Sequence, residues 1–143
     1  MSYNEQDNRQ KRRERLQGIR DAMNQAMGVE MGKLPPQATD LEEAVLGAMM
    51  LEQNAVNTVI DILKPPSFYK EANSRIYEAI IQLFQKGEPV DILTVTQTLR
   101  KMGQLEVIGG PLYIAQLTNR VASTANVETH ARIIAQKFIQ REL

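Results

Sequence analysis

The stretch Thr39-Asp-Leu-Glu-Glu-Ala-Val-Leu-Gly-Ala-Met-Met-Leu51, entered from Pro35-Pro36, decides the fold. Apolar residues recur in it at the three- and four-residue steps of a helix, so that Leu41, Val45, Ala48 and Met49 share one face. Thr39 and Glu42 have the S/T-x-x-E spacing of a capping box, in which a hydroxyl and a carboxylate satisfy the first free amides. Gly47 in the interior costs helix propensity. A second helix crossing closely at that point would account for it.

Reading outward, the same periodicity returns in short segments separated by breakers. Val56, Val59, Ile60 and Leu63 mark a second helix ended by Pro65-Pro66. Phe68-Tyr69 is expected to anchor the next connection. Ile76, Ile80, Leu83 and Phe84 mark a third helix closed by Gly87. Asp91 is placed to cap a fourth, which carries Val95, Leu99 and Met102 and closes at Gly103. Gly110-Pro111 is a start signal for a fifth, with Ile114, Leu117 and Val121 on its face. Val90 to Val95 is β-branched enough to suggest a strand, yet the sequence offers no second strand to pair with it.

The last segment carries Val127, Ala131, Ile134 and Phe138 on one stripe, with Ile133 and Ile139 on its two flanks. It reaches Arg141-Glu142-Leu143 without a cap, which reads as a helix cut short. The expectation is all-α: a compact head of five to six short helices over 35–122, and a protruding C-terminal helix over 123–143. Residues 1–34 form a polar, basic extension, expected to be flexible. Leu16, Ile19, Met23 and Met27 give it only a thin apolar stripe, too little for a stable isolated helix.

Composition sets outer bounds. With 143 residues, 43% of them apolar and 24% charged, the chain has the make-up of one ordinary globular domain. There is no cysteine, which excludes a disulfide framework and a thiolate zinc site. Met1 to Asp7 lacks the apolar core of a signal peptide. The apolar run Ala44–Leu51 is far too short to span a bilayer. A soluble, cytoplasmic chain with no membrane contact is expected.

A net charge of zero conceals an asymmetry. Residues 1–34 carry seven basic and five acidic side chains, whereas 35–143 carry ten basic and twelve acidic. A body this neutral is poorly suited to neutralising phosphates. The cluster Arg9, Lys11, Arg12, Arg13 and Arg15, with Arg20 beyond it, is the candidate for nucleic-acid or acidic-partner contact, against the plainer reading of a solvated tail.

Catalytic chemistry has little to stand on. A phosphate-cradling loop needs G-x-x-x-x-G-K-[ST]. The nearest approach, Gly28-Val-Glu-Met-Gly-Lys-Leu34, is one residue short and ends in leucine. His130 is the only histidine and lies beside Val127 and Ala131, where a packing or capping role is the simpler reading. Glu42 and Glu43 are adjacent on a helix and point to different faces, so capping and solvation explain them better than paired-carboxylate chemistry does. Gly109-Gly110 lacks the preceding strand and third glycine of a nucleotide fingerprint. Tyr77 and Tyr113 lie among aliphatic residues and read as core edge. No catalytic, cofactor-binding or metal-ligating residue is assigned.

Two further segments carry a resemblance when taken with Thr39–Leu51. They are Glu88-Pro-Val-Asp-Ile-Leu-Thr94 and Gly109-Gly-Pro-Leu-Tyr-Ile-Ala-Gln-Leu117. In this order and spacing the three resemble the amino-terminal domain of bacterial replicative DNA helicases of the DnaB type, over about Leu34 to Leu143. The resemblance implies a domain without an ATPase site, consisting of a helical head followed by a helical hairpin. In the family the hairpins pair, six domains form a collar above the motor ring, and primase docks on that collar. Ala125 to Leu143 would be the first hairpin arm, truncated here. Val127, Ile134 and Phe138 would pack on the head or the returning arm, leaving Ile133 and Ile139 for subunit or primase contacts. The resemblance further implies self-association into a hexamer, primase and a helicase loader as partners, and DNA met mainly through the parent motor domain. ATP and magnesium belong to that parent chain, with no cofactor in this fragment. Two other readings remain open: a nucleic-acid-binding module using the basic tail, and a stand-alone helical adaptor.

Overall fold

A computed structural model of the chain describes residues 2–26, 38–121 and 123–143, which divide into two units, Met1–Pro35 and Pro36–Leu143. The first holds one long helix, α1 (Ser2–Ala26). The second is built from α2 (Ala38–Leu51), α3 (Gln53–Ile60), a 3-10 turn (Pro65–Ser67), α4 (Glu71–Gln85), α5 (Ile92–Lys101), α6 (Gly110–Asn119) and α7 (Val127–Glu142). No strand occurs among the described residues, and the β-branched run after Val90 opens α5 instead. The all-α expectation is borne out.

The second unit is arranged around α2, which packs against α3, α4, α6 and α7. Val45, Leu46 and Met49 on α2 are completely buried. Around them lie Val56 and Val59 of α3, Ile76 and Ile80 of α4, Leu99 of α5, Ile114 and Leu117 of α6, and Ile134 of α7. Tyr77 fills the middle of this core, its ring 4.8 Å from that of Phe68. Burial of aliphatic side chains on this scale, at about 1.5–3 kcal/mol each, is what holds such short helices together. Two contributors, Leu105 and Ile108, come from the connection between α5 and α6, where no periodicity announces them.

Gly47 marks the crossing of α2 with α6. A methyl group built at Gly47 would stand 2.6 Å from Val121 Cγ2 and 2.8 Å from the Leu117 carbonyl carbon, and would overlap the Leu117 carbonyl oxygen. Only glycine lets the two backbones approach this closely. The helix ends follow their local signals. Asp91 accepts from the Thr94 N–H at 2.8 Å while its own N–H donates to Thr94 Oγ1 at 2.9 Å, a reciprocal cap on α5. At the end of α4, Gly87 adopts a φ of 69°, and Glu88 N–H donates back to the Leu83 carbonyl at 2.9 Å. This closes the helix in a Schellman turn, and Gly103 does the same for α5.

The terminal helix is docked along the head rather than standing clear of it. α7 packs on α2, α3 and the 3-10 turn, with Ala131 and Ile134 fully buried. The apolar stripe expected from the sequence is the cause, since those two positions meet the α2 face.

Gly47→Ala is expected to lower stability by about 1–3 kcal/mol, the cost of overpacking where the obstacle is backbone. Chemical denaturation of the two proteins, compared at equal m-value, measures it.

A candidate protein-interaction surface

The polar centre of the second unit is Glu42, whose side chain is fully buried. It does not close a capping box with Thr39, as its spacing suggested, and it is not solvated. On α2 it occupies the same inward face as Val45 and Met49, and its carboxylate reaches the start of α4. The Tyr69 N–H donates to Oε2 at 2.6 Å, the Lys70 N–H to Oε1 at 3.3 Å, and Asn73 Nδ2 to Oε1 at 3.0 Å. Lys70 is the N-cap residue of α4 and supplies no side-chain cap of its own. Glu42 therefore caps α4 from another helix. Charge-assisted hydrogen bonds and the positive end of the α4 dipole offset the cost of burying a carboxylate.

From Asn73 the network continues to α6. Tyr113 donates from its hydroxyl to Asn73 Oδ1 at 2.6 Å and lies 3.3 Å from Glu43 Oε1. Glu43 Oε2 is 2.8 Å from Arg120 Nη1, and Lys70 Nζ sits 4.4 Å from the centre of the Tyr113 ring. Tyr77 donates to the Leu63 carbonyl at 2.8 Å. Burial raises the Tyr77 phenol far above its ordinary range, with the charge of Asp61 adding to it. Burial likewise raises Tyr113, followed by the charge and hydrogen bonding of Glu43 and the charge of Glu42, while Arg120 pulls the other way. Both phenols are thus held as donors. Tyr77 belongs to the core, and Tyr113 to this network rather than to a stacking surface.

The C-terminal end of α7 is tied to the same region. Arg141 Nη2 donates to the Ser67 carbonyl at 3.1 Å, and its guanidinium lies 5.2 Å from the Tyr69 ring and 5.8 Å from the Phe138 ring. Phe68 is buried in the core and Tyr69 is exposed, so the aromatic pair divides between packing and surface. Of the interface candidates, Ile134 is buried, Val127 packs half-buried against the core, and Ile133 and Phe138 are half-buried. Ile139 stands outward with 52% of its surface exposed. Arg9, Lys11, Arg12, Arg13 and Arg15 lie exposed on α1, in the other unit. The sequence reading missed Glu42, Asn73, Arg120 and Arg141 as connecting residues. The signal available for Glu42 was a carboxylate at the i−3 position from Val45, inside an apolar stripe.

Among the described residues no three His, Asp or Glu side chains gather to hold a metal ion. The segment Gly28–Leu34 lies outside the described residues. A shallow hollow of about 340 Å³ lined by Gln53, Phe84, Gly87, Glu88 and Pro89 holds no convergent set of titratable groups. Among the described residues no helix is long and apolar enough to cross a membrane.

These features define a class first: a small helical domain whose buried polar groups join helices and whose last helix keeps apolar side chains at its surface. The family described as DnaB-like helicase N terminal domain matches residues 34–136, and the chain belongs to it. The resemblance carried by Thr39–Leu51, Glu88–Thr94 and Gly109–Leu117 is thereby borne out. The chain is 48% identical over 130 residues to the replicative DNA helicase DnaB of Rhodothermus marinus, covering 90% of this chain and 14% of that protein. It is 42% identical over 111 residues to the DnaB of Geobacillus stearothermophilus, covering 78% and 24%. The chain thus spans a quarter or less of the length of these relatives. The crystal structure of the N-terminal domain of DnaB helicase from Mycobacterium tuberculosis aligns with a TM-score of 0.71 at 39% identity, over 76% of this chain and 78% of that one. The N-terminal domain of the Helicobacter pylori DnaB helicase was described with its interactions with primase. It aligns with a TM-score of 0.64 at 22% identity, over 74% of this chain and 82% of that one, and shares the fold.

Glu42→Ala is expected to cost about 3 kcal/mol, because it strands buried donors of α4. Glu42→Gln places an amide donor against backbone donors and is expected to cost about 1 kcal/mol or more. Denaturant titration reads both. A raised phenol in the folded state means that ionisation favours unfolding, so the contribution of these two phenols to stability is constant below pH of about 10 and is lost above it. Absorbance titration of the four tyrosines should show two that ionise only as the protein unfolds in alkali.

Proposed function

We propose that this chain is the collar domain of a replicative DNA helicase, acting in the cytoplasm in ring assembly and primase docking, without catalysis of its own. The observation that carries the reading is family membership over residues 34–136. The structure supplies a physical means. Glu42 and Gly47 fix α2 against α4 and α6, and α7 is anchored on that frame through Ala131 and Ile134. What remains on α7 is an outward side bearing Ile139, flanked by the half-buried Phe138, with Ile133 on the opposite flank of the helix.

In this proposal Val127, Ile134 and Phe138 hold the helix to the head or to a returning arm, and Ile133 and Ile139 meet neighbouring subunits or primase. Six such domains form the collar of a hexamer. ATP and magnesium serve the motor domain of the parent helicase, which is also where most DNA contact is made; a helicase loader is a further partner. In this proposal no step of nucleotide hydrolysis is assigned to the described residues of this domain.

Ile139→Asp removes an apolar contact worth about 1.5–3 kcal/mol when buried, so association should weaken roughly 10- to 150-fold. The exposed position predicts unchanged thermal unfolding. Sedimentation of the chain and titration with its cognate primase are the readouts. If Ile133→Asp and Ile139→Asp both left self-association and primase binding unchanged, the reading would be wrong.

A further inference from the structure

The helix α1 segregates its charge in a way the cluster of basic residues alone does not reveal. Seven-residue steps return to nearly the same side of a helix, and Asp7, Glu14 and Asp21 are spaced by seven. They lie on one side, where Asp7 pairs with Lys11 at 3.1 Å and Asp21 accepts from Gln17 Nε2 at 2.9 Å. Arg9, Arg12, Arg13 and Arg20 fall on the opposite side, Arg15 flanks them, and Lys11 lies toward the acids. Glu5, the fourth acid of α1, lies within the cation side, one turn before Arg9. All six cations are exposed. Three of the four acids of α1 are therefore set apart from its arginines, although the sequence interleaves them.

We propose that the cation side of α1 is a binding site for the phosphate backbone of duplex DNA. Three features select this ligand. Five of the six cations are arginines, whose planar fork matches two phosphate oxygens where an ammonium makes a point contact. From Asn4 to Arg15 the helix has no apolar side chain, only charged residues and the amides Asn4, Gln6, Asn8 and Gln10. Phosphate and sugar contacts use these groups. A membrane surface or a protein interface of ordinary stability needs an apolar face there as well. The stretch also has no aromatic side chain on which unpaired bases could stack, which favours duplex over single strand. A helix of ordinary diameter fits the major groove, with cations on both flanks able to reach the two backbones. Such contacts position a protein on DNA and carry no sequence preference. This site is independent of the collar reading, since it lies in the other unit.

The test is anisotropy of a short labelled duplex of mixed sequence titrated with the 143-residue chain across a salt series. Each phosphate neutralised contributes about 0.9 to the slope of log affinity against log salt. Arg9→Gln, Arg12→Gln, Arg13→Gln and Arg15→Gln combined should therefore flatten the slope by roughly 3.6. For those four contacts, raising salt from about 50 to about 200 mM weakens the wild type by a further factor on the order of 100. Circular dichroism should show helix content unchanged. The same four positions changed to lysine keep the charge, and should keep the slope while losing affinity. The proposal is overturned if the glutamine variant binds duplex as the wild type does, or if no salt-dependent duplex binding is found. It is equally overturned if single-stranded DNA binds more tightly than duplex, or if phosphatidylserine vesicles are bound and duplex is not.

Discussion

One buried carboxylate organises the second unit. Glu42 sits on the inward face of α2 and supplies the N-terminal cap that α4 lacks, from a position 27 residues before Tyr69. A carboxylate in a hydrophobic core is costly, so the site is tolerable only because each oxygen meets donors with fixed geometry. That requirement fixes the angle between α2 and α4. Asn73 then passes the constraint to Tyr113 on α6, and α6 meets α2 again where Gly47 leaves room for the Leu117 carbonyl. Three helices are thereby positioned by three close contacts, two polar and one steric. The aliphatic core fills the space between them.

This division explains what could be read in advance. Interactions that close within a few residues were legible. The Asp91–Thr94 cap, the glycine turns after α4 and α5, and the proline start of α6 each leave a local signature, and the structure contains each one. The crossing at Gly47 was legible because a glycine inside a helix needs a reason. Contacts between distant segments were not. Thr39 and Glu42 have the spacing of a capping box, and nothing local reveals that Glu42 faces inward toward donors on α4. Glu43, taken as solvated, lies beside Arg120 because α2 and α6 cross, and Arg141 reaches Ser67 because α7 lies along the head. Leu105 and Ile108 are buried in a connection too short for any period. The thin stripe of residues 1–34 suggested a loose arm, whereas α1 runs as a helix from Ser2 to Ala26. There, charge separation at seven-residue spacing was visible in the letters but gained meaning only once a helix was given.

The functional proposal rests on family membership, and the disposition of the polar groups agrees with it. Buried carboxylate, amide and phenol all bond to one another or to backbone, and none converges on an open cavity. The docked α7 exposes Ile139 on a frame whose helices are fixed from within. The family of DnaB-like helicase N-terminal domains, to which the chain belongs, gives that role its place in the proposal.

Amide hydrogen exchange at Tyr69 and Lys70 bears most directly on the part assigned to Glu42. Both residues are exposed by side chain and lie outside helical hydrogen bonding at the start of α4. Without the carboxylate their N–H groups would exchange as those of a surface loop do. If Glu42 caps α4 from α2, the two amides exchange only through opening of the core, with protection close to that of Ile76 and Ile80. Rapid exchange at both, alongside a protected α4, would contradict it.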